Sequence, residues 1–398
     1  MTKQTDRLWT RSFISISVSN FFLFMTFYFL LVTLPVFVLE ELAGTESEAG
    51  LVTTVFLLSA IIIRPLAGMW MEKAGGRKIL LASLVLFAGA SLFYLWVDTL
   101  TGLFIVRFLH GIGFGMATTA TGGLVAGIVP DSRRGEGMGY FVLSTNLAMV
   151  MGPFLGLTAM RELGMSAMLA MGAVSAFIGF AAGLFVSVTE HRGESKRNVH
   201  TGLHFRDLFE VKAIPIALTG AFFAIVYSSL LSFVSIHAEE VGLGHVSSLF
   251  FVVYAAILLV SRPYTGKWFD IYGANVIVYP AIVLFAIGML MLGSNDSAVI
   301  FLVAAGFAGL GWGTLFPSFQ TIAIMAAAPR RRATATATFL SIYDIGIGLG
   351  SFLVGLAATK VSMGTIYSYS SIYILAGLLV YFFMQGGKIH REEKREAG

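Results

Sequence analysis

Three ionisable side chains lie inside long apolar segments of this 398-residue chain, where a charge is energetically unfavourable. Asp344 stands in the segment SIYDIGIGLG, while Arg107 and His110 share the segment RFLHGIGFG. Placing a charged side chain at the centre of a membrane helix costs about 3 kcal/mol on insertion scales. Residues retained at such a cost commonly bind ions or substrates, so these three are the first candidates for chemistry.

Asp344 is the only acid that lies well inside an apolar segment. It is about ten residues from the end of that segment, which at about 1.5 Å per residue places it ~15 Å deep, near the middle of a membrane. Because a low-dielectric medium disfavours the charged carboxylate, we expect Asp344 to bind and release a proton in the physiological pH range. It could also bind a cationic substrate. The alternative is a structural hydrogen bond or salt bridge between helices.

Arg107 and His110 are three positions apart, so on a helix they share a face. Imidazole titrates near neutral pH, whereas a guanidinium stays charged. One hypothesis is a relay in which protons exchange between His110 and Asp344 while Arg107 binds anionic groups. The alternatives are that Arg107 reaches toward the membrane surface or pins a neighbouring helix, and that His110 is a hydrogen-bonded core residue.

Three uncharged residues are further candidates for a substrate site. Asn20 and Tyr28 lie at roughly helical spacing in the first apolar segment, and such a face could line a cavity for a flat, apolar substrate. The alternative is that this face contacts lipid or neighbouring helices. Asn146 is 198 positions before Asp344 and is its uncharged near-isostere.

The elements that position these residues must be membrane helices. The chain is 57% hydrophobic and 12% charged, with a mean hydropathy of +0.84, whereas a soluble domain carries about 25% charged residues. The absence of cysteine excludes disulfides and thiolate metal sites. HExxH, Walker and Gly-x-Ser-x-Gly motifs are also absent, so we expect no enzyme, cofactor or metal site. The net charge of +4 is not typical of a nucleic-acid-binding protein.

Twelve apolar segments are long enough to cross a bilayer, which needs about 20 residues. The sequence therefore predicts an all-α, multi-pass membrane protein with the lipid bilayer as its solvent. Of the 26 lysines and arginines, only Arg161 and Lys360 fall on the predicted outer side, and Arg107 lies within a span. This asymmetry predicts that both termini are cytoplasmic. The spans are expected near 12–39, 49–70, 79–97, 101–129, 137–160, 164–188, 213–236, 246–268, 274–294, 297–328, 334–359 and 364–386.

The second half of the chain repeats the first at an offset of 198 positions, as in Gly68 and Gly266. Spans two, four and five all show this offset. Six spans repeated in the same orientation predict two pseudo-symmetric six-helix bundles with a site between them at mid-membrane. The predicted domains are an N-terminal bundle over 1–189, a cytoplasmic linker over 190–212, and a C-terminal bundle with a short tail over 213–398.

The polar turn between spans two and three resembles motif A of the major facilitator superfamily, a Gly-x-x-x-Asp-x-x-Gly-x-Arg-Lys pattern. The matching residues are Gly68, Glu72, Gly75, Arg77 and Lys78, with Glu72 in place of the usual Asp. The second copy keeps Gly266 and Asp270 but lacks the Arg-Lys pair.

Two further motifs carry the resemblance along the chain. Arg107, Gly111 and Gly113 are similar to motif B, although His110 stands where Gln is frequent. Span five resembles the antiporter motif C, with alanine in place of its middle glycine. The residues that match motif C are Gly139, Ala148, Gly152, Pro153 and Gly156. This combination resembles the twelve-span drug:proton antiporter branch.

The resemblance implies a secondary active transporter that exports a small amphipathic molecule in exchange for protons by alternating access. We expect it to act as a monomer in the plasma membrane of a bacterium, with a small-molecule substrate and protons as its partners. The alternative is a proton symporter or uniporter that imports a sugar, an organic acid or another small nutrient; only motif C argues against it.

The resemblance also implies a role for motif A. Glu72 is expected to pair with a basic neighbour such as Arg77, or to face the positive N-terminal end of span eleven. In the second case it would form a latch, meaning a contact that holds helix ends together and keeps the inner gate shut. Without the Arg-Lys pair, the latch at Asp270 is expected to be weaker. The alternative is that the turn only anchors the topology through its positive charges.

Overall fold

The computed structural model describes residues 7–187, 208–294 and 297–386 of the chain. In these ranges every regular element is a helix, and twelve helices are long and apolar enough to cross a membrane. The predicted all-α, twelve-helix fold is therefore confirmed, whereas most of the predicted linker, residues 190–207, lies outside the described residues. The helices are α1 Arg11–Glu40, α2 Glu46–Ala74, α3 Gly76–Phe93, α4 Leu100–Ile128, α5 Arg134–Leu163, α6 Met165–Leu184, α7 Ile214–Glu240, α8 Ser247–Tyr272, α9 Ala274–Ser294, α10 Ala298–Met325, α11 Arg332–Ala358 and α12 Met363–Tyr381.

Helices satisfy their own backbone hydrogen bonds, which is why apolar segments in lipid adopt them. At the ends of a helix, polar side chains accept or donate the backbone hydrogen bonds that the helix itself cannot make. Thr45 accepts a hydrogen bond from Glu48 N at the start of α2, and the Glu48 carboxylate accepts one from Thr45 N in return. This reciprocal capping box fixes where α2 begins.

The chain turns from α2 into α3 through a single residue, Gly75, whose φ is +96°. The turn from α8 into α9 is made in the same way by Gly273, with a φ of +83°. Side chains are rarely tolerated at such φ values, so both positions favour glycine. The helices continue beyond the predicted spans at this turn: α2 ends at Ala74 rather than near residue 70, because charged residues are compatible with a helix that extends past the hydrocarbon.

Two compact units make up the structure, and each combines most of one half of the sequence with a short piece of the other. The first contains residues 1–130, 144–211 and 327–338; in it α4 packs against α2 and α3, and α6 packs against α1 and α3. The second contains residues 131–143, 212–326 and 339–398. There α10 packs against α8 and α9, and α12 packs against α7 and α9.

The sequence repeat is also a repeat of packing. A Cβ atom added to Gly113 would lie 2.8 Å from Phe87 N, and one added to Gly311 would lie 2.5 Å from Phe285 N. Both members of the second pair are 198 positions after their counterparts in the first. These glycines are retained where helix backbones touch, so the internal repeat preserves helix contacts as well as composition.

Many large apolar side chains remain on the surface of the described helices, among them Phe154, Phe352 and Leu379, each more than 60% exposed. Exposed apolar surface of this kind aggregates in water but is suited to lipid contact. The described helices therefore present large apolar residues to the bilayer.

Candidate functional site

Glu72, in the last turn of α2, contacts the N-terminal end of α11 within the first unit. Its Oε1 accepts a hydrogen bond from Thr334 Oγ1, and its Oε2 lies 3.7 Å from Nη1 of Arg331. Gly68, one turn earlier, allows the close approach, since an added Cβ would lie 3.0 Å from the Cβ of Ala337. A carboxylate at this end of a helix is stabilised by the helix dipole. We call the contact of Glu72 with Arg331 and Thr334 the Glu72 latch.

The basic residues of motif A have different surroundings from Glu72. Arg77 donates a 3.5 Å hydrogen bond from Nη2 to the carbonyl of Leu184, at the end of α6. Lys78 is exposed. Glu72 was expected to pair with a basic neighbour such as Arg77 or to face the start of span eleven. In the structure it contacts the start of span eleven.

Asp270, in the last turn of α8, makes the equivalent contact within the second unit. Its two carboxylate oxygens accept hydrogen bonds from Gly135 N at 2.6 Å and from Glu136 N at 3.0 Å. These are N–H groups of the first turn of α5, which have no partner inside the helix. Gly266 lies against Glu136, where an added Cβ would be 2.7 Å from Cα. We call the contact of Asp270 with Gly135 and Glu136 the Asp270 latch; its two backbone hydrogen bonds do not favour the expectation that it is the weaker one.

Arg107 is fully buried and ties α4 to α2. Its Nε donates a 3.1 Å hydrogen bond to the carbonyl of Val52, and its guanidinium lies 4.2 Å from the centre of the Phe56 ring. The second contact is a cation–π interaction. The side chain therefore contacts a neighbouring helix and does not reach the surface.

His110 is also fully buried, and both of its ring nitrogens have partners. Nε2 lies 3.1 Å from Ser91 Oγ, and Nδ1 lies 3.0 Å from Tyr94 Oη. A neutral imidazole has one donor and one acceptor, and a hydroxyl group can complement either. This arrangement favours a hydrogen-bonded core histidine that joins α4 to the end of α3.

Asn20 joins three helices of the first unit. Its amide nitrogen donates to Ser144 Oγ at 2.9 Å and to Thr145 Oγ1 at 3.0 Å, and its Oδ1 accepts from Thr121 Oγ1 at 3.1 Å. The residue is 1% exposed. This arrangement favours a helix-packing role for Asn20, and its role in a substrate site stays a prediction.

Motif C brings α5 close to α1. An added Cβ at Gly152 would lie 2.7 Å from the Cβ of Tyr28, and one at Gly156 would lie 2.9 Å from the carbonyl oxygen of Phe29. Tyr28 is held at this contact and is only partly exposed. Of the remaining motif residues, Ala148 is buried, Pro153 lies inside α5, and Gly139 belongs to the second unit, where it packs on Arg262.

Asp344 lies in the middle of α11 and is partly buried. Ser351 is about two turns further along the same side of the helix, and its hydroxyl lies 3.3 Å from Ser232 Oγ of α7. The adjacent face carries strongly exposed apolar residues such as Phe352, which suit lipid contact. Asp344 thus lies on a polar edge of α11. Asn146, its counterpart in α5, is partly buried as well.

An aromatic stack in the second unit leads to the residue before Asp344. The rings of Tyr227 and Trp312 stack with centroids 4.5 Å apart, and Trp312 stacks on Tyr343 at 6.0 Å. Phe316 packs against Tyr343 at 4.8 Å. We call these four residues the aromatic stack. Trp312 lies between two glycines of span ten, and this position was the sequence signal that could have revealed the stack.

Comparisons with known proteins identify the family of this chain and several similar proteins. The family model described as Major Facilitator Superfamily matches residues 16–351 and 248–397. The staphylopine export protein of Staphylococcus aureus is 21% identical over 363 residues, which cover 87% of each chain. The quinolone resistance protein NorA of Staphylococcus aureus is 29% identical over 136 residues, 34% of this chain and 35% of NorA. Among solved structures, the human organic anion transporter MFSD10 is similar in fold, with a TM-score of 0.76 at 16% identity, covering 94% of this chain and 99% of that one.

Proposed function

Because this chain belongs to the major facilitator superfamily and is a multi-pass membrane transporter rather than an enzyme, we propose that it exports a small amphipathic molecule in exchange for protons. Two relatives carry names that indicate export or drug resistance, and they support the outward direction. Motif C in span five supports the same direction through its resemblance to antiporters.

The observation that carries the proposal is the position of Asp344 directly after Tyr343, at the end of the aromatic stack. Phe316 and Tyr343, the two partly exposed rings of the stack, offer an apolar surface for an organic molecule, while a neighbouring carboxylate can bind either a proton or a positive charge. Because one carboxylate binds either the proton or the substrate but not both, release of one allows binding of the other, and their movements are coupled. A substrate with an apolar body and a polar or cationic group fits this combination.

In the proposed cycle, Asp344 is protonated from the outside and releases its substrate outward. It then loses the proton to the inside and binds the next substrate molecule. A P-loop is absent from the sequence, so the ion gradient would supply the energy. The orientation that supports this cycle has both termini in the cytoplasm, and a monomer is sufficient for it.

Alternating access requires contacts that form in one state and break in another. We propose that the Glu72 latch and the Asp270 latch are these contacts at the inner gate. Arg107 and His110 hold α4 against its neighbours in this scheme. The proton relay through His110 stays a prediction, and the two hydrogen bonds of its imidazole do not favour it.

The test is transport by purified protein in liposomes, with a pH gradient and a fluorescent amphipathic cation as the probe. Asp344→Asn should abolish movement of the probe driven by the gradient, while exposed Asp98→Asn should behave like the wild type. An Asp344→Asn protein with normal activity and unchanged proton stoichiometry would contradict the proposal. The direction of gradient-driven movement separates export from nutrient import, the alternative function.

A further inference from the structure

Glu210 lies just before α7, at the point where the chain leaves residues 188–207, and it is buried with 8% exposure. A buried carboxylate needs partners. Its Oε2 lies 2.6 Å from Nε of Arg331, the arginine of the Glu72 latch. Its backbone N–H donates a 2.9 Å hydrogen bond to Thr338 Oγ1 in α11. All of these residues belong to the first unit.

Residues 209–210 determine how the Arg331 guanidinium is oriented. Nε is bound by the Glu210 carboxylate, and Nη2 donates to the carbonyl of Phe209 at 2.9 Å. The third nitrogen, Nη1, is the one that lies 3.7 Å from Glu72. Arginine has a long side chain that loses rotamer freedom when it is fixed, and charge-assisted hydrogen bonds offset that loss. Glu210 therefore holds Arg331 in the position that faces Glu72.

The contacts close into a ring. Thr334, which donates to Glu72, accepts through its carbonyl a 2.8 Å hydrogen bond from Thr338 Oγ1. Thr338 in turn accepts from Glu210 N, and Glu210 binds Arg331. The end of the segment before α7 and the end of α2 thus bind the same arginine and the same turn of α11.

The internal repeat shows why Glu210 is needed at this latch only. The residue 198 positions before Arg331 is Arg133, which pairs at 2.8 Å with Glu136, three positions further along the chain. Three positions after Arg331 the chain has Thr334, which has no carboxylate. At the Asp270 latch, Glu136 is therefore the acid that pairs with Arg133. At the Glu72 latch, Glu210 supplies the acid from a distant part of the sequence.

We propose that Glu210 is a positioning residue of the Glu72 latch, which couples the chain segment before α7 to the inner gate. This inference rests on the latch role stated under the proposed function. Displacement of residues 209–210 releases Arg331 and weakens the Glu72 latch, while the Asp270 latch is unaffected. The two latches then differ in control, because the Glu72 latch depends on residues 209–210 and the Asp270 latch does not.

The chain has no cysteine, so spin labels can be placed without background. Labels at Ala74→Cys and Arg330→Cys, both exposed, report the distance across the Glu72 latch by pulsed electron paramagnetic resonance. The matched control pair, Ser132→Cys and Tyr272→Cys, occupies the equivalent positions at the Asp270 latch, 198 residues away from each label. Measurements are made in lipid nanodiscs on the full chain.

Glu210→Gln removes the charge but keeps the backbone hydrogen bond to Thr338. We expect it to raise the ratio of long to short distances for the first label pair about 5-fold and to leave the control pair unchanged. Arg331→Gln should have a similar effect, and adding Glu210→Gln to it should change nothing more, because the two residues act through one contact. Glu210→Asp, which keeps the charge, should restore part of the short-distance population.

Three results would overturn the inference. If Glu72→Gln lengthens the distance and Glu210→Gln does not, the latch stands but Glu210 has no part in it. If Glu210→Gln and Arg331→Gln effects add independently, Glu210 does not act through Arg331. If no substitution lengthens the distance, including Glu72→Gln, the latch role itself is wrong, whereas the export proposal is decided separately by Asp344→Asn.

Discussion

Replacing Arg107 with methionine distinguishes a helix-packing role for this side chain from a direct role in binding. The hydrogen bond to Val52 contributes about 1.5–3 kcal/mol and the cation–π contact with Phe56 about 0.5–2 kcal/mol, so the substitution removes about 2–5 kcal/mol of interaction. Against this, a buried charge carries a desolvation cost of several kcal/mol, and methionine fills a similar volume without it. We therefore expect Arg107→Met to change the free energy of unfolding by less than about 2 kcal/mol.

Arg107→Ala is the matched comparison, because it removes the charge and also leaves a cavity, which costs about 2–5 kcal/mol for a large buried side chain. The assay is thermal unfolding in detergent together with transport in liposomes. A stable Arg107→Met protein with normal transport supports the packing role. A stable protein that has lost transport would refute it and would indicate that the guanidinium itself binds the substrate or acts in proton coupling.

The remaining predictions concern the latches and the repeated glycines. Asp270→Asn removes the negative charge at the first turn of α5, which stabilises that helix end by about 0.3–1 kcal/mol, and should lengthen the distance between spin labels at residues 132 and 272. Glu72→Gln should lengthen the equivalent distance between residues 74 and 330 without abolishing binding of the substrate probe; an unchanged distance in either variant would contradict its latch. Gly311→Ala should lower the unfolding temperature, because the new Cβ would lie 2.5 Å from Phe285 N, whereas Gly127→Ala should not, since nothing lies within 4 Å of that position.

The fold was readable from the sequence because membrane helices are specified locally, by length and composition. The repeat was readable too, since glycines at an offset of 198 positions, such as Gly113 and Gly311, mark contacts between helix backbones in both units. The position of the turn at Gly75 was predicted correctly, although α2 extends several residues beyond the predicted end of span two. An apolar segment marks the part of a helix that crosses the membrane, and the helix itself can continue into the polar turn.

Sequence reasoning was less successful for the candidate site, because side-chain partners there are distant in the chain. Glu210 and Arg331 are 121 positions apart, and no periodicity or motif links them. The partners of the Asn20 amide, hydroxyl groups from α4 and α5, are also more than 100 positions away in the chain. The stacking of Trp312 on Tyr343 likewise depends on how α10 meets α11. Such contacts follow from tertiary packing, which a single sequence does not display.

We propose above that Asp344 couples substrate export to proton movement, and this role is open to a direct test. It is tested most directly by measuring proton flux and probe flux together in liposomes containing the wild type, Asp344→Asn or Asp98→Asn. We expect probe and proton fluxes to be opposite and coupled in the wild type and in Asp98→Asn, and gradient-driven probe flux to be lost in Asp344→Asn while the protein remains folded. Coupled flux at wild-type stoichiometry in Asp344→Asn would contradict it.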